Sequence, residues 1–192
     1  MDLVRIPITD THRAAARELC AARPELPLSH RGAPATAVGA LGEVLALDFL
    51  TGGGLPIIHD DRTTHDLRLP HDRTLEVKTK DRTVHPAPHY ECSIPLYNHE
   101  HQQPDFYLFV SLQRPRDTPT GIAAFHTGYL CGVASQLQVL RRAVTRDTGW
   151  TDPANGTKFW TACRNLTIEQ LVPARAALDR WLKDAQAASL SR

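Results

Sequence analysis

Cysteine, net charge and long apolar runs are all in short supply in this chain, and each shortage removes a class of protein. The four cysteines, Cys20, Cys92, Cys131 and Cys163, stand far apart with no C-x-x-C pair. That spacing sets aside a zinc knuckle and a disulfide frame and fits reduced, unligated thiols. With 22 basic and 21 acidic residues the formal charge is only +1, so the chain is not a polycation that coats nucleic acid by counterion release, and any such contact has to be local. No apolar run approaches the roughly 20 residues that a membrane span needs, and the opening "MDLVRIPITD" lacks the charged-then-apolar layout of a signal peptide. A cytoplasmic address with no membrane partner is therefore the expectation. Neither a Walker A loop nor a G-x-S-x-G elbow occurs, which argues against ATP-driven chemistry and against a serine hydrolase.

What is present describes an ordinary folded domain. At 192 residues, 42% hydrophobic and 22% charged, residues 1–192 suit a single domain with a real core and no internal repeat. The residues "THRAAARELCAA" (11–22) predict a helix capped by Thr9 or Asp10 and stopped before Pro24. From Pro34 to Leu50 the apolar positions Val38, Leu41, Val44, Leu45 and Leu47 recur at helical spacing, and "TGGG" ends the run. On that helix Glu43 shares a flank with Gly39 and Gly42, where another element can come close. Short strands are expected at 55–59, 65–69 and 74–79, the last two forming a hairpin. Residues 80–92 read as irregular, 94–102 as a short helix, and "DFYLFVSL" (105–112) as a buried central strand. A further strand over 121–130 and helices over 131–144 and 173–188 complete a mixed α/β order around one sheet, with a C-terminal helical part over about 130–190.

The stretch "HDLRLPHDRTLEVKTKD" (65–81) carries the chemistry. It holds two of the chain's four lysines, Lys78 and Lys80, alternating with Glu76 just downstream of Asp66. In a strand Glu76, Lys78 and Lys80 share one face, while Leu75 and Val77 point into the core. A loop of Pro70, His71 and Asp72 would set Asp66 directly across from Glu76; one more loop residue would move the pairing by one. Either register leaves two carboxylates as near neighbours, which repel unless a cation lies between them. Hard oxygen donors of this kind suit Mg²⁺, with Mn²⁺ as a substitute.

Asp66 followed by Glu76-Val77-Lys78, behind a helix bearing Glu43 in "GALGE", resembles the PD-(D/E)xK nuclease superfamily, over roughly residues 35–112. The resemblance implies a restriction-endonuclease-like core, a mixed sheet flanked by helices in the order αβββαβ, with helical additions at both ends. It implies that Asp66, Glu76 and the Val77 carbonyl hold Mg²⁺, with Glu43 binding directly or through water, and that Lys78 positions the attacking water. The activity it implies is metal-dependent hydrolysis of DNA, most simply as an endonuclease leaving 5′-phosphate ends, with a homodimer as one way to cut both strands. The proline usual before the first aspartate is His65 here. Once a divalent ion neutralises the acidic pair, Arg31 in the entry loop together with Lys80 and Arg82 become the expected phosphate-backbone contacts.

Competing signals are weaker. "YNHEH" lacks the upstream histidine dipeptide of an HNH finger, and prolines break any helix that would bring His85 and His89 together. Gln103 to Tyr107 spells a Q-x-x-x-Y found in some exonucleases of the same superfamily, but Pro104 interrupts it. Arg141, Arg142 and Arg146 read as a solvated helix face. The runner-up function is a nucleic-acid-binding or assembly module that keeps the fold without cutting.

Overall fold

The structure, a computed structural model, describes residues 2–22, 32–60, 64–98, 102–152, 156 and 158–190. Its first strand, β1 (Val4–Pro7), leads into helix α1 (Asp10–Ala22). Thr9 caps α1: its hydroxyl accepts the His12 N–H at 3.3 Å while His12 Nδ1 accepts the Thr9 N–H at 3.2 Å. Helix α2 (Gly32–Gly52) follows the predicted apolar period and buries Leu41, Leu45, Ala46 and Leu50. Its end is a Schellman closure, with the Leu55 N–H on the Leu50 carbonyl, the Gly54 N–H on the Thr51 carbonyl, and Gly54 left-handed at φ 86. By length and composition Ala35–Gly52 could cross a membrane, contrary to the expectation that no segment approaches a span. In the fold it is the helix packed against the central sheet, and it carries a buried glutamate.

Six strands form that sheet in the order β1-β7-β6-β4-β3-β2. The members after β1 are β2 (Ile58–His59), β3 (Leu67–Arg68), β4 (Thr74–Arg82), β6 (Phe106–Gln113) and β7 (Thr127–Ser135). Only β4 and β6 run parallel, so the sheet is mixed and the class is α/β. Helix α4 (Ala174–Leu190) joins α1 and α2 on one face, where Leu75, Val77, Leu108, Val110, Leu130 and Trp181 share a core.

The other face is covered by a second sheet, which the expectation of a single sheet did not include. It has the order β5-β9-β8, from β5 (Glu91–Pro95), β8 (Val144–Arg146) and β9 (Cys163–Thr167), with helix α3 (Gln136–Arg142) beside it. Cys92, Ile94, Tyr107, Phe109, Cys131 and Leu166 fill the space between the sheets. Strand β5 lies in the stretch read as irregular and helical, and among the described residues the crossover from β4 to β6 carries β5 and a 3-10 turn at Leu96–Asn98. Pro95 is tolerated because β5 is an edge strand of its sheet. The segment 131–144, expected to be one helix, is divided between β7, α3 and the start of β8. The Ser135 hydroxyl, which accepts the Gln138 N–H, sets the point where strand becomes helix. The expected α/β class, a mixed sheet flanked by helices, is what the structure shows.

Candidate functional site

The site is built at the place where β3 stops. This strand pairs with β4 only at Leu67 with Leu75 and Arg68 with Thr74. The loop is the Pro70–Asp72 turn, in which His71 and Asp72 both take positive φ. That register, continued by one residue, sets Asp66 opposite Glu76. Asp66 lies just outside the strand and ends the ladder with its own atoms. Its N–H donates to the Leu75 carbonyl at 3.2 Å, and its Oδ2 accepts the Val77 N–H at 2.7 Å. A carboxylate thus replaces the next strand residue, and no β3 residue faces β4 beyond this point.

Glu43 enters from α2. It is 5% exposed and Glu76 is 4% exposed, an arrangement that is costly for carboxylates without compensation. Burial is the main reason the Asp66 carboxyl is pushed well above the usual carboxylate range, and the charges of Glu76 and Glu43 push it further. Glu76 is raised as well, by burial first, with Lys78 pulling it back and Glu43 adding to the rise. The three acids therefore act on one another although α2 packs on the opposite sheet face from the Glu76 side chain. The short β3 explains how: past Leu75 the flank of β4 is open to the helix.

Lys78 makes the counter-charge. Its Nζ donates to Glu76 Oε1 at 2.7 Å and to Gln102 Oε1 at 2.9 Å. Next to it, the Tyr107 hydroxyl donates to the Gln102 carbonyl at 3.5 Å, and burial together with Glu76 pushes the phenol up to about 12. The other carboxylate oxygen, Glu76 Oε2, is buried and has no hydrogen-bond partner among the described residues. A buried acceptor in that state costs free energy that a bound cation would offset.

The structure joins Asp66 to Val77 and Glu76 to Lys78, sets Glu43 within electrostatic reach of both acids, and places the expected phosphate contacts differently. Lys80 and Arg82 share the Glu76 face, as alternation requires, but this face lies under the second sheet. Lys80 Nζ and Arg82 Nη2 both donate to the Glu91 carbonyl, at 2.8 and 3.0 Å. Burial lowers the Lys80 ammonium to about 8, and Arg82 adds to the shift. Arg82 also donates to Ser111 Oγ at 3.0 Å and lies 5.0 Å from the Tyr90 ring centroid. These two cations hold the sheets together. Arg31 lies outside the described residues, as do His99 and His101 of the set-aside histidine motif.

Four neighbours escaped the sequence reading. His59 Nε2 comes within 3.8 Å of Glu43 Oε2. His65, which stands where the motif usually has proline, is 7% exposed and acts on Glu76 as a nearby cation would. Gln102 binds Lys78, and no spacing rule could have found it across a crossover of more than twenty residues. Thr79 fills the close approach anticipated beside Glu43: a Cβ on Gly42 would sit 1.9 Å from Thr79 Oγ1, whereas nothing lies within 4 Å of the same position on Gly39.

Two carboxylates, a main-chain carbonyl and a helix glutamate suit a hard, water-rich cation, and the orphaned Glu76 oxygen fits that role. Among the described residues no three His, Cys, Asp or Glu side chains come close enough together to hold a metal ion between them. No family model, curated protein or solved structure matches the chain.

Proposed function

We propose that the chain is a divalent-metal-dependent phosphodiesterase acting on DNA, an endonuclease with a restriction-endonuclease-like core. One observation carries the reading: a buried helix glutamate, a half-buried aspartate at a strand end and a buried glutamate inside a strand stand within electrostatic reach of one another, with a single lysine bound to one of them. A scaffold gains nothing from crowded carboxylates that raise each other's pKa, whereas perturbed acids of this kind are common where a site does chemistry.

Asp66, Glu76, the Val77 carbonyl and Glu43 would hold Mg²⁺ or Mn²⁺, which supplies Lewis acidity at the phosphate and makes water a better nucleophile near neutral pH. The chain's own groups do the rest. Lys78, beside Glu76, would orient a water toward the phosphorus and offset the charge that builds on the phosphoryl oxygens. Gln102 keeps the ammonium from swinging away. Asp66 is oriented by the Val77 N–H, so its free oxygen is aimed before any ligand arrives.

A second reading, a binding or assembly module that does not cut, is favoured by the roof over β4, since Glu76 is almost wholly buried. Incubating plasmid with the protein in Mg²⁺, in Mn²⁺ and in EDTA, beside Glu76→Gln, separates the two. Nicking or linearisation that needs the ion and is lost in Glu76→Gln supports the nuclease. Intact plasmid in both ions, from protein that is folded and retains the DNA, supports the module.

A further inference from the structure

A hairpin between β8 and β9 has one locked face and one open face. Thr151 pairs with Lys158, and Phe159 exchanges main-chain hydrogen bonds with Gly149 and Trp150 at 2.7 and 2.8 Å. Alternation therefore puts Trp150 and Phe159 on one side and Lys158 and Trp160 on the other. On the locked side the Trp150 and Phe159 rings meet edge to face at 5.4 Å. The Arg146 guanidinium lies 4.1 Å from the Trp150 centroid while it binds Glu91 at 2.8 Å, and Lys80 Nζ lies 5.7 Å from the Phe159 centroid.

On the open side Trp160 is 70% exposed, and Lys158 Nζ lies 5.4 Å from its ring centroid. A lone exposed tryptophan is ordinary. Here the indole stands on a stiffened support, carries its own cation, and leaves most of its surface open. The support also lies next to the candidate site, because Lys80, whose ammonium stands over the Phe159 ring, lies two residues beyond Lys78 on the same face of β4.

We infer that Trp160 with Lys158 is a stacking platform for an unpaired nucleobase, so that the substrate is a nucleic acid with a single-stranded segment. The inference rests on the nuclease reading and narrows its substrate class. Every base offers a π-face to an indole, and the adjacent ammonium can meet the phosphate beside the stacked base. Inside a duplex both faces of a base are already stacked, so an unpaired nucleotide is the occupant that fits.

The test is fluorescence anisotropy in Ca²⁺ with labelled oligothymidylate and with a blunt duplex of equal length, on the parent, Trp160→Ala, Trp160→Phe and Lys158→Ala. Trp160→Ala should weaken oligothymidylate binding about tenfold, and Trp160→Phe should restore most of it. Lys158→Ala should reduce the slope of log affinity against log salt by about one, and duplex binding should be unchanged by Trp160→Ala. Parental oligothymidylate affinity in Trp160→Ala, or an equal loss for both probes, would overturn the platform while leaving the nuclease reading intact. A parent that binds neither probe would remove both. Trp160 is so exposed that the substitution should leave the circular dichroism spectrum and melting temperature unaltered.

Discussion

At the scale of single residues, the Glu76–Lys78 pair is where the fold stores cost. The side chains are 5% and 13% exposed and 2.7 Å apart, so neither can lose its partner to water. Lys78→Ala should therefore cost about 3 kcal/mol near pH 8, because it strands a buried carboxylate. The loss should shrink toward pH 5 as Glu76 takes up a proton, and urea denaturation at the two pH values checks this. Asp66 follows the same pH trend, but neutralising it should stabilise the fold. Its folded pKa is raised, so the fold holds a proton that the unfolded chain has already shed. The penalty is absent below about pH 4, grows as pH rises toward the folded value, and is constant above it. Asp66→Asn removes that charge and can still accept the Val77 N–H. It should melt with the parent near pH 4 and above it at pH 7.5. Asp66→Ala leaves the Val77 amide unpaired and should forfeit about 1–2 kcal/mol of that gain.

At the scale of elements, two close approaches decide how the site is held. Helix α2 rests on β4 through Gly42 and Thr79, and the threonine stands between Lys78 and Lys80. Gly42→Ala would force Thr79 aside and should cost about 2 kcal/mol. Thr79→Ala removes the two nearest atoms, one of them a buried hydroxyl with no hydrogen-bond partner among the described residues. Chemical denaturation of both single variants and the double variant should then show at least half of the Gly42→Ala loss recovered. The second approach is at the irregularity between β6 and β7, where Phe109 pairs with Gly132 and Val110 with Leu130, leaving Cys131 as the extra residue. Gly132 has φ 141, and a Cβ there would lie 2.7 Å from the Val172 carbonyl oxygen. Gly132→Ala should cost about 3 kcal/mol, well beyond Gly54→Ala, whose φ is also positive but whose surroundings are open.

At the scale of the whole molecule, a cation that binds the folded site and not the unfolded chain must raise global stability. Mn²⁺ or Mg²⁺ at a hundredfold excess over its dissociation constant adds about 2.7 kcal/mol, or roughly 5–10 °C in melting temperature for a chain of this size. Differential scanning fluorimetry should show that rise at pH 7.5. It should disappear toward pH 4.5, where the acids bind protons instead, and be blunted in Asp66→Asn. A flat response to Mn²⁺ at pH 7.5 would take the metal away from the mechanism.

Much of this molecule was legible along the chain. Helices α1, α2 and α4 announce themselves by period, cap and terminating glycine or proline, β4 by its alternation and β6 by its apolar run, since these signals are local. The nearness of Asp66 to Glu76 was legible from the shortness of one hairpin loop, which left two registers open, and the Pro70–Asp72 turn selects the one that sets them opposite. Strands β5, β8 and β9 left no such trace, being short and interrupted by proline and charge, and they became strands by pairing with one another across long sequence separations. That second sheet turned the expected open face of β4 into a roofed one, and with it moved Lys80 and Arg82 from a surface to an interior seam. The residue types and their alternation along β4 were local matters, settled by the sequence. Which face meets water, and whether Glu43 can reach two acids on the far side of the sheet, were decided by where β3 ends and what packs on top, because burial and charge coupling depend on atoms brought together from distant parts of the chain.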